Sequence, residues 1–284
     1  MNLRTDLAVE LKDNLGKNID GAEQITENYN SFTLNKILIK NSDAEKIIGK
    51  KIGTYITFEL DRLSQFDNLD DELHNVFKSE LLNLLPTEGE VLVVGLGNTS
   101  VTADALGPKT ADLVLATRHI ADELRKSEGL NNLREVSVLN PGVVGQTGIE
   151  TIEIINSIVN KIKPKAIIVI DALAAINIDR LGNTIQMCDT GISPGAGVGN
   201  NRKEISKDTL NIPVISIGVP TVVDANTLVC SITDFNEEVK NLKSIVVTPT
   251  QIDLLIERAS KIISKCINCA VQNKVDEQLI LSLL

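Results

Sequence analysis

The strongest constraint on the fold is the run Val91-Leu92-Val93-Val94, closed by Gly95. Four consecutive apolar residues, three of them β-branched, leave no polar side for water, so the run reads as a strand buried on both faces of a parallel sheet. Gly95-Leu96-Gly97-Asn98 then supplies a tight turn. Pro108 falls in the first turn of a helix expected over 109–126. Ala166-Ile167-Ile168-Val169-Ile170 repeats the design and ends directly on Asp171. Further strands are expected near 134–139, 214–218 and 245–248, with helices over 148–162 and 250–264. In the last of these, Ile252, Leu255, Ile256, Ala259, Ile262 and Ile263 recur at helical spacing. Strands alternating with helices of this length imply right-handed βαβ units. The expected class is therefore α/β, a three-layer α/β/α arrangement around a mostly parallel, twisted central sheet.

Upstream, Leu34–Ile39 and Gly53–Leu60 suit strands at the margin of that sheet. Asp70–Leu85 reads as an amphipathic helix ended by Pro86. No internal repeat or low-complexity linker interrupts the 284 residues, which points to a single domain. With 2% aromatic residues and no Trp, the core must come from Ile, Leu, Val and Ala. A net charge of −10 without a basic run argues against direct nucleic-acid binding through phosphates. The sequence carries no apolar run of the roughly 18 residues a membrane span needs and no signal-peptide core at its start, so a cytoplasmic protein with no membrane attachment is expected. Cys188, Cys230, Cys266 and Cys269 are read as free thiols. The lone Cys266-Ile267-Asn268-Cys269 motif lies in a helical pattern, without the second pair a zinc site would need. His74 and His119 are expected on the surface.

In open α/β sheets, ligands sit beyond the carboxyl ends of the strands. Asp104 follows the first buried strand and Asp171 the second, so the pair is the candidate site. Either aspartate alone is most simply a helix N-cap. Brought together, two carboxyls cannot both ionise cheaply; one keeps a proton, and the pair can activate water and protonate a leaving amine. Two glycine-rich stretches are candidate site loops. Gly95, Gly97 and Asn98 form the first turn, while Asp189, Gly191, Gly195 and Gly197 belong to a long loop, 189–201. A third, Gly142–Gly148, sits at another strand-to-helix junction. Competing motifs fail. The dinucleotide fingerprint lacks its third glycine, since Ser100 stands there. Neither a P-loop nor a GxSxG elbow is present.

Beyond these elements, the blocks VVGLGNTSVTADALGPKTADLVLATRHI, LNPGVVGQTGIET, IDALAAINIDRLGNTIQMCDTGISPGAGVGNNRKEIS and IPVISIGVPTVVDA occur in order. Together they resemble the germination proteases of spore-forming bacteria, from Arg4 to at least Ala225. The resemblance implies an endopeptidase that degrades small acid-soluble spore proteins when germination begins, in the forespore and spore core. It implies a homotetramer, a self-processing zymogen, and a fold similar to that of the hydrogenase maturation endopeptidases. In those relatives two site carboxylates are nickel ligands; in the germination proteases the matching aspartates, here Asp104 and Asp171, are thought to be catalytic with no cofactor. Arg4–Glu10 looks like the family's processing region, with cleavage between Asp6 and Leu7. Residues 1–6 would then be a short propeptide that plugs the site, and 7–284 the catalytic domain, with the 189–201 loop moving on activation. The alternative is a metal-dependent peptidase in which Asp104 and Asp171 are ligands, with Asp189 as a third. A non-enzymatic protein with decayed chemistry is the remaining reading.

Overall fold

The computed structural model describes residues 5–16, 18–61, 63, 70–120, 132–199, 202–232, 242 and 245–283. Nine strands form one mixed sheet among these residues. They are β1 (Ala22–Asn28), β2 (Phe32–Ile39), β3 (Gly53–Leu60), β4 (Val91–Gly95), β5 (Val136–Leu139), β6 (Ala166–Ala175), β7 (Thr184–Cys188), β8 (Val214–Asp224) and β9 (Val246–Val247). The order is β1-β2-β3-β7-β8-β6-β4-β5, with β9 attached to β8. β5, β4, β6 and β8 are parallel neighbours. The run β1-β2-β3-β7, and the contacts of β7 and β9 with β8, are antiparallel. The parallel half is the βαβ core expected from the buried runs. The antiparallel half extends it through the two margin strands, together with β1 and β7, which periodicity did not reveal.

Alternation along the strands sends successive side chains to opposite faces, and helices cover both. On one face Val91 and Val93 of β4 and Ile168 and Ile170 of β6 meet α3 (Asp71–Leu84), α4 (Leu106–Asp112) and α6 (Ile252–Val271). Leu92 and Val94, with Ile167 and Val169, pack on the other face against Ile155 and Val159 of α5 (Thr151–Ile162). Farther along that second face, α1 (Ala8–Leu15) and α2 (Ser42–Ile48) cover Ile37, Ile39, Tyr55, Leu173 and Ala175. The result is the three-layer α/β/α arrangement.

Two elements depart from expectation in ways that shape the site. The helix after β4 stops at Asp112. Asn268 of α6 donates its amide to the Leu113 carbonyl at 3.0 Å and accepts the Leu115 N–H at 2.8 Å, a tertiary cap that helical periodicity cannot reveal. The segment 121–126 of the expected helix lies outside the described residues. Strand β6 does not end at Asp171 but runs on to Ala175. Its neighbour β4 does end there: Gly95 pairs with Ile170, and β8 alone continues alongside. Asp171 is thus the first β6 residue past the end of β4, and it is no helix cap.

Candidate active site

Asp171 follows the parity of Ile167 and Val169 on one side and Leu173 and Ala175 on the other. It falls between the two apolar clusters that cover this face. It is 6% exposed, and the Ala172 N–H donates to its Oδ1 at 2.9 Å. The gap beyond β4 is filled by the short 3-10 turn Thr102–Asp104. That turn is fixed on two sides. Thr221 of β8 donates its hydroxyl to the Ala103 carbonyl at 2.7 Å, and the Asn98 N–H donates to Asp104 at both its backbone oxygen, 3.1 Å, and Oδ2, 2.9 Å. Gly97 makes this approach possible. A Cβ there would stand 1.9 Å from the Asp104 carbonyl, and its φ of +120° is one that glycine adopts most readily.

A third carboxylate joins the pair. Asp104, Asp171 and Asp6 line one cleft of about 510 Å³, together with Gly97, Gly142–Gly145, Leu173, Ala174, Pro194, Gly195 and Thr221. The N-terminal segment is docked along the end of β6. The Asp6 N–H donates to the Ala174 carbonyl at 2.9 Å, and the Ala174 N–H returns to Asp6 Oδ2 at 2.8 Å. The Asp6 carboxylate also accepts the Gly197 N–H. Glu10 secures the segment by accepting the N–H groups of Ile176 and Asn177, each at 2.8 Å, while Leu7 is fully buried. A smaller cavity of about 240 Å³ shares Asp6 and Leu173 with the cleft and is lined by Lys50, Gln186, Gly191 and Ser216.

Burial holds Asp171 well above the usual carboxylate range, and the charges of Asp104 and then Asp6 raise it further, against the opposing pull of the Ala172 N–H. Asp104 is raised by burial and drawn back by the Asn98 N–H. Asp6 is raised by burial, opposed first by the Lys50 ammonium and then by the N–H groups of Ala174 and Gly197. Asp171 is the most buried of the three and the one held well above the usual range.

The glycine-rich stretches divide in role. Gly97, Gly195 and Gly142–Gly145 line the cleft, Gly197 holds Asp6, and Gly191 lines the smaller cavity. Gly95 faces helix α4 instead, where a Cβ would meet the Gly107 carbonyl at 2.4 Å. Two amides of the first turn are engaged, Leu96 with the Ile170 carbonyl at 2.8 Å and Asn98 with Asp104. Asp189 turns away from the pair and accepts the Thr54 N–H at 2.8 Å, so it is no third ligand. Among the described residues, the only three metal-capable atoms within 4.8 Å of one another come from His74, Cys269 and Glu277. None of these lines the cleft, and Glu277 is already engaged by His74 Nε2 at 2.8 Å and by Lys78. The cleft's three carboxylates, Asp104, Asp171 and Asp6, do not bring their oxygens within 4.8 Å of one another. His74 is buried rather than on the surface, because it sits on α3 where that helix meets Cys266 of α6 and Glu277 of α7 (Glu277–Ser282). His119 is exposed, as expected.

The sequence pattern had no means of placing the Asp6 carboxylate beside the pair, nor of finding Lys50 and Gln186 around its backbone. Those contacts join segments 44 and 180 residues apart. No helix among the described residues is long and apolar enough to cross a membrane.

Known proteins resemble this chain over most of its length. The germination protease family model matches residues 3–240. A germination protease of Clostridium tetani is 39% identical, covering 96% of each chain, and one of Clostridium perfringens is 40% identical, covering 95% of each. The crystal structure of a NiFe hydrogenase maturation protease HycI from Thermococcus kodakarensis overlaps 66% of this chain and 98% of its own, at 15% identity and a TM-score of 0.37.

Proposed function

The chain belongs to the germination protease family, and on that premise we propose that it is an endopeptidase whose Asp104 and Asp171 hydrolyse the peptide bond. The observation that carries this reading is the placement of two carboxyls in one cleft past the end of β4, Asp171 deeply buried and Asp104 fixed by the Asn98 N–H. Asp104 takes a proton from water as the water oxygen attacks the scissile carbonyl. Asp171 gives its proton to the departing nitrogen. The substrates are small acid-soluble spore proteins, acted on in the forespore and spore core, and the working form is a homotetramer.

Self-processing between Asp6 and Leu7 fits the same geometry. The segment ending at Asp6 occupies the cleft it would have to vacate for a substrate, and its carboxylate raises Asp171 still further. The full chain is thus the plugged, unprocessed form, with the catalytic unit spanning 7–284 and the Pro194–Gly199 part of the glycine-rich loop closing over Asp6. The direct test is digestion of a purified small acid-soluble spore protein by the purified chain after incubation at mildly acidic pH. A discrete early cut is expected, together with a new N-terminus at Leu7. An intact substrate and an intact N-terminus under all conditions would contradict the proposal.

A further inference from the structure

The bond that self-processing would break is gripped from the side opposite the carboxylates' half of the sheet. From this we infer that Lys50 and Gln186 are the catalytic donors that stabilise negative charge on the scissile carbonyl oxygen. The inference rests on the reading that the chain cuts between Asp6 and Leu7. The Asp6 carbonyl accepts Lys50 Nζ at 2.9 Å and Gln186 Nε2 at 3.0 Å. The same Gln186 amide accepts the Ala8 N–H through Oε1 at 2.7 Å. One side chain therefore spans the backbone from Asp6 to Ala8, as an adjacent strand would, and brackets the bond. Thr5 Oγ1 accepts the N–H of the departing Leu7 nitrogen at 2.9 Å. The Asp6 N–H on β6 fixes the register from the other side.

A docked segment needs one donor for a buried carbonyl; here two converge, and one is a cation. Donors preorganised on an oxygen that gains charge strengthen as the charge develops. Lys50 follows α2, and Gln186 lies on β7, both in the antiparallel half. The parallel half supplies the carboxyls. The bond lies at the seam, where β7, β8 and β6 run side by side.

The step balances with water as the only co-reactant. Water oxygen bonds to the Asp6 carbonyl carbon and gives a proton to the ionised carboxylate. The carbonyl oxygen takes the electron pair while Lys50 and Gln186 donate to it. The carbon–nitrogen bond then breaks as the protonated carboxyl supplies the Leu7 nitrogen, leaving a carboxylate at Asp6 and an amine at Leu7. Lys50 and Gln186 remain in the processed chain, so the same two donors serve a substrate carbonyl supplied in trans.

The test compares the full-length chain with Lys50→Ala, Lys50→Arg and Gln186→Leu, following the appearance of the Leu7 N-terminus by mass spectrometry and N-terminal sequencing. Loss of one such donor slows the cut by about 10²–10³-fold. Lys50→Arg should recover most of the rate, and added ethylamine should accelerate Lys50→Ala, a rescue within one variant that altered folding would not produce. Wild-type cleavage between Asp6 and Leu7 matched in rate by both Lys50→Ala and Gln186→Leu would overturn the assignment while leaving the processing site standing. Wild-type cleavage elsewhere would overturn the processing site and this assignment with it.

Discussion

Gly107 is the residue on which the placement of Asp104 depends most narrowly, and Gly107→Ala tests it. A Cβ at this position would stand 2.2 Å from the Leu96 carbonyl oxygen and 2.5 Å from both the Ile170 carbonyl oxygen and the Leu96 nitrogen. Ordinary contact begins at 3.4 Å, so the gap to recover is 3.4 − 2.2 = 1.2 Å. The obstructing atoms are backbone, and the Leu96 N–H to Ile170 carbonyl bond ties them to each other, so they cannot swing aside. Helix α4 must lift off the strand ends instead. In an unobstructed helix the change would be favourable by about 1 kcal/mol. Overpacking costs about 1–3 kcal/mol where a core must yield, and here it outweighs the gain in propensity because rigid backbone lies on the far side. At about 2–4 °C per kcal/mol for a chain of this size, the cost corresponds to a fall of roughly 2–12 °C in the unfolding midpoint. Asp104 lies three residues before Gly107 and moves with the helix. A shift of this order in a catalytic group costs about 10²-fold in rate. Thermal unfolding by circular dichroism and cleavage of a spore-protein substrate give both readouts. A Gly107→Ala variant with an unchanged midpoint and full activity would refute the close seating of α4 on β4 and β6.

Other outcomes follow from the same geometry. Because the folded-state pKa of Asp171 is raised, the stability it contributes is fully present below the unfolded carboxylate value of about 3.9 and is lost as pH rises through the folded value. Asp171→Asn should therefore gain stability relative to wild type as pH climbs to neutrality, measured as urea unfolding at several pH values; a gap independent of pH would contradict this. Phe77 is fully buried and stacks on Phe58 with ring centroids 5.2 Å apart. Phe77→Ala should cost about 3–5 kcal/mol in denaturant unfolding, and a loss below about 1 kcal/mol would show that this half of the core is dispensable. Burial pushes the Cys269 thiol up to about 11 and Cys266 higher still. Both should resist thiol reagents in the native protein and react once it unfolds, which mass mapping of the labelled cysteines would show.

Much of the fold was legible because burial on both faces writes itself into consecutive β-branched residues. Val91–Gly95 and Ala166–Ile170 announced β4 and β6, and with them the end of β4 beyond which Asp104 and Asp171 lie, although β6 itself runs on to Ala175. Strands lacking that signature escaped. Ala22–Asn28 is a largely exposed edge strand of polar residues. Thr184–Cys188 is buried along its length but includes the polar Thr184 and Gln186, and Gln186 bonds to Asp6 and Ala8 far away in the chain. Helix ends set by tertiary caps, such as Asn268 on Leu113, leave no local mark either. At the site, the two aspartates could be read from the apolar runs that precede them, but the third carboxylate could not. Asp6 reaches the cleft because Glu10 and Ala174 dock its segment, and nothing in the local sequence encodes that docking.

The most direct test of the central claim is the rate of spore-protein cleavage by the wild-type chain beside Asp104→Asn and Asp171→Asn, each with and without prolonged chelation, with unfolding midpoints recorded for all three. Removing a general acid or base should lower the rate by about 10²–10⁴-fold in each variant, with the fold intact and chelation without effect on wild type. Near-normal cleavage by either Asn variant would contradict the aspartate pair, and loss of wild-type activity on chelation would make the two residues metal ligands instead.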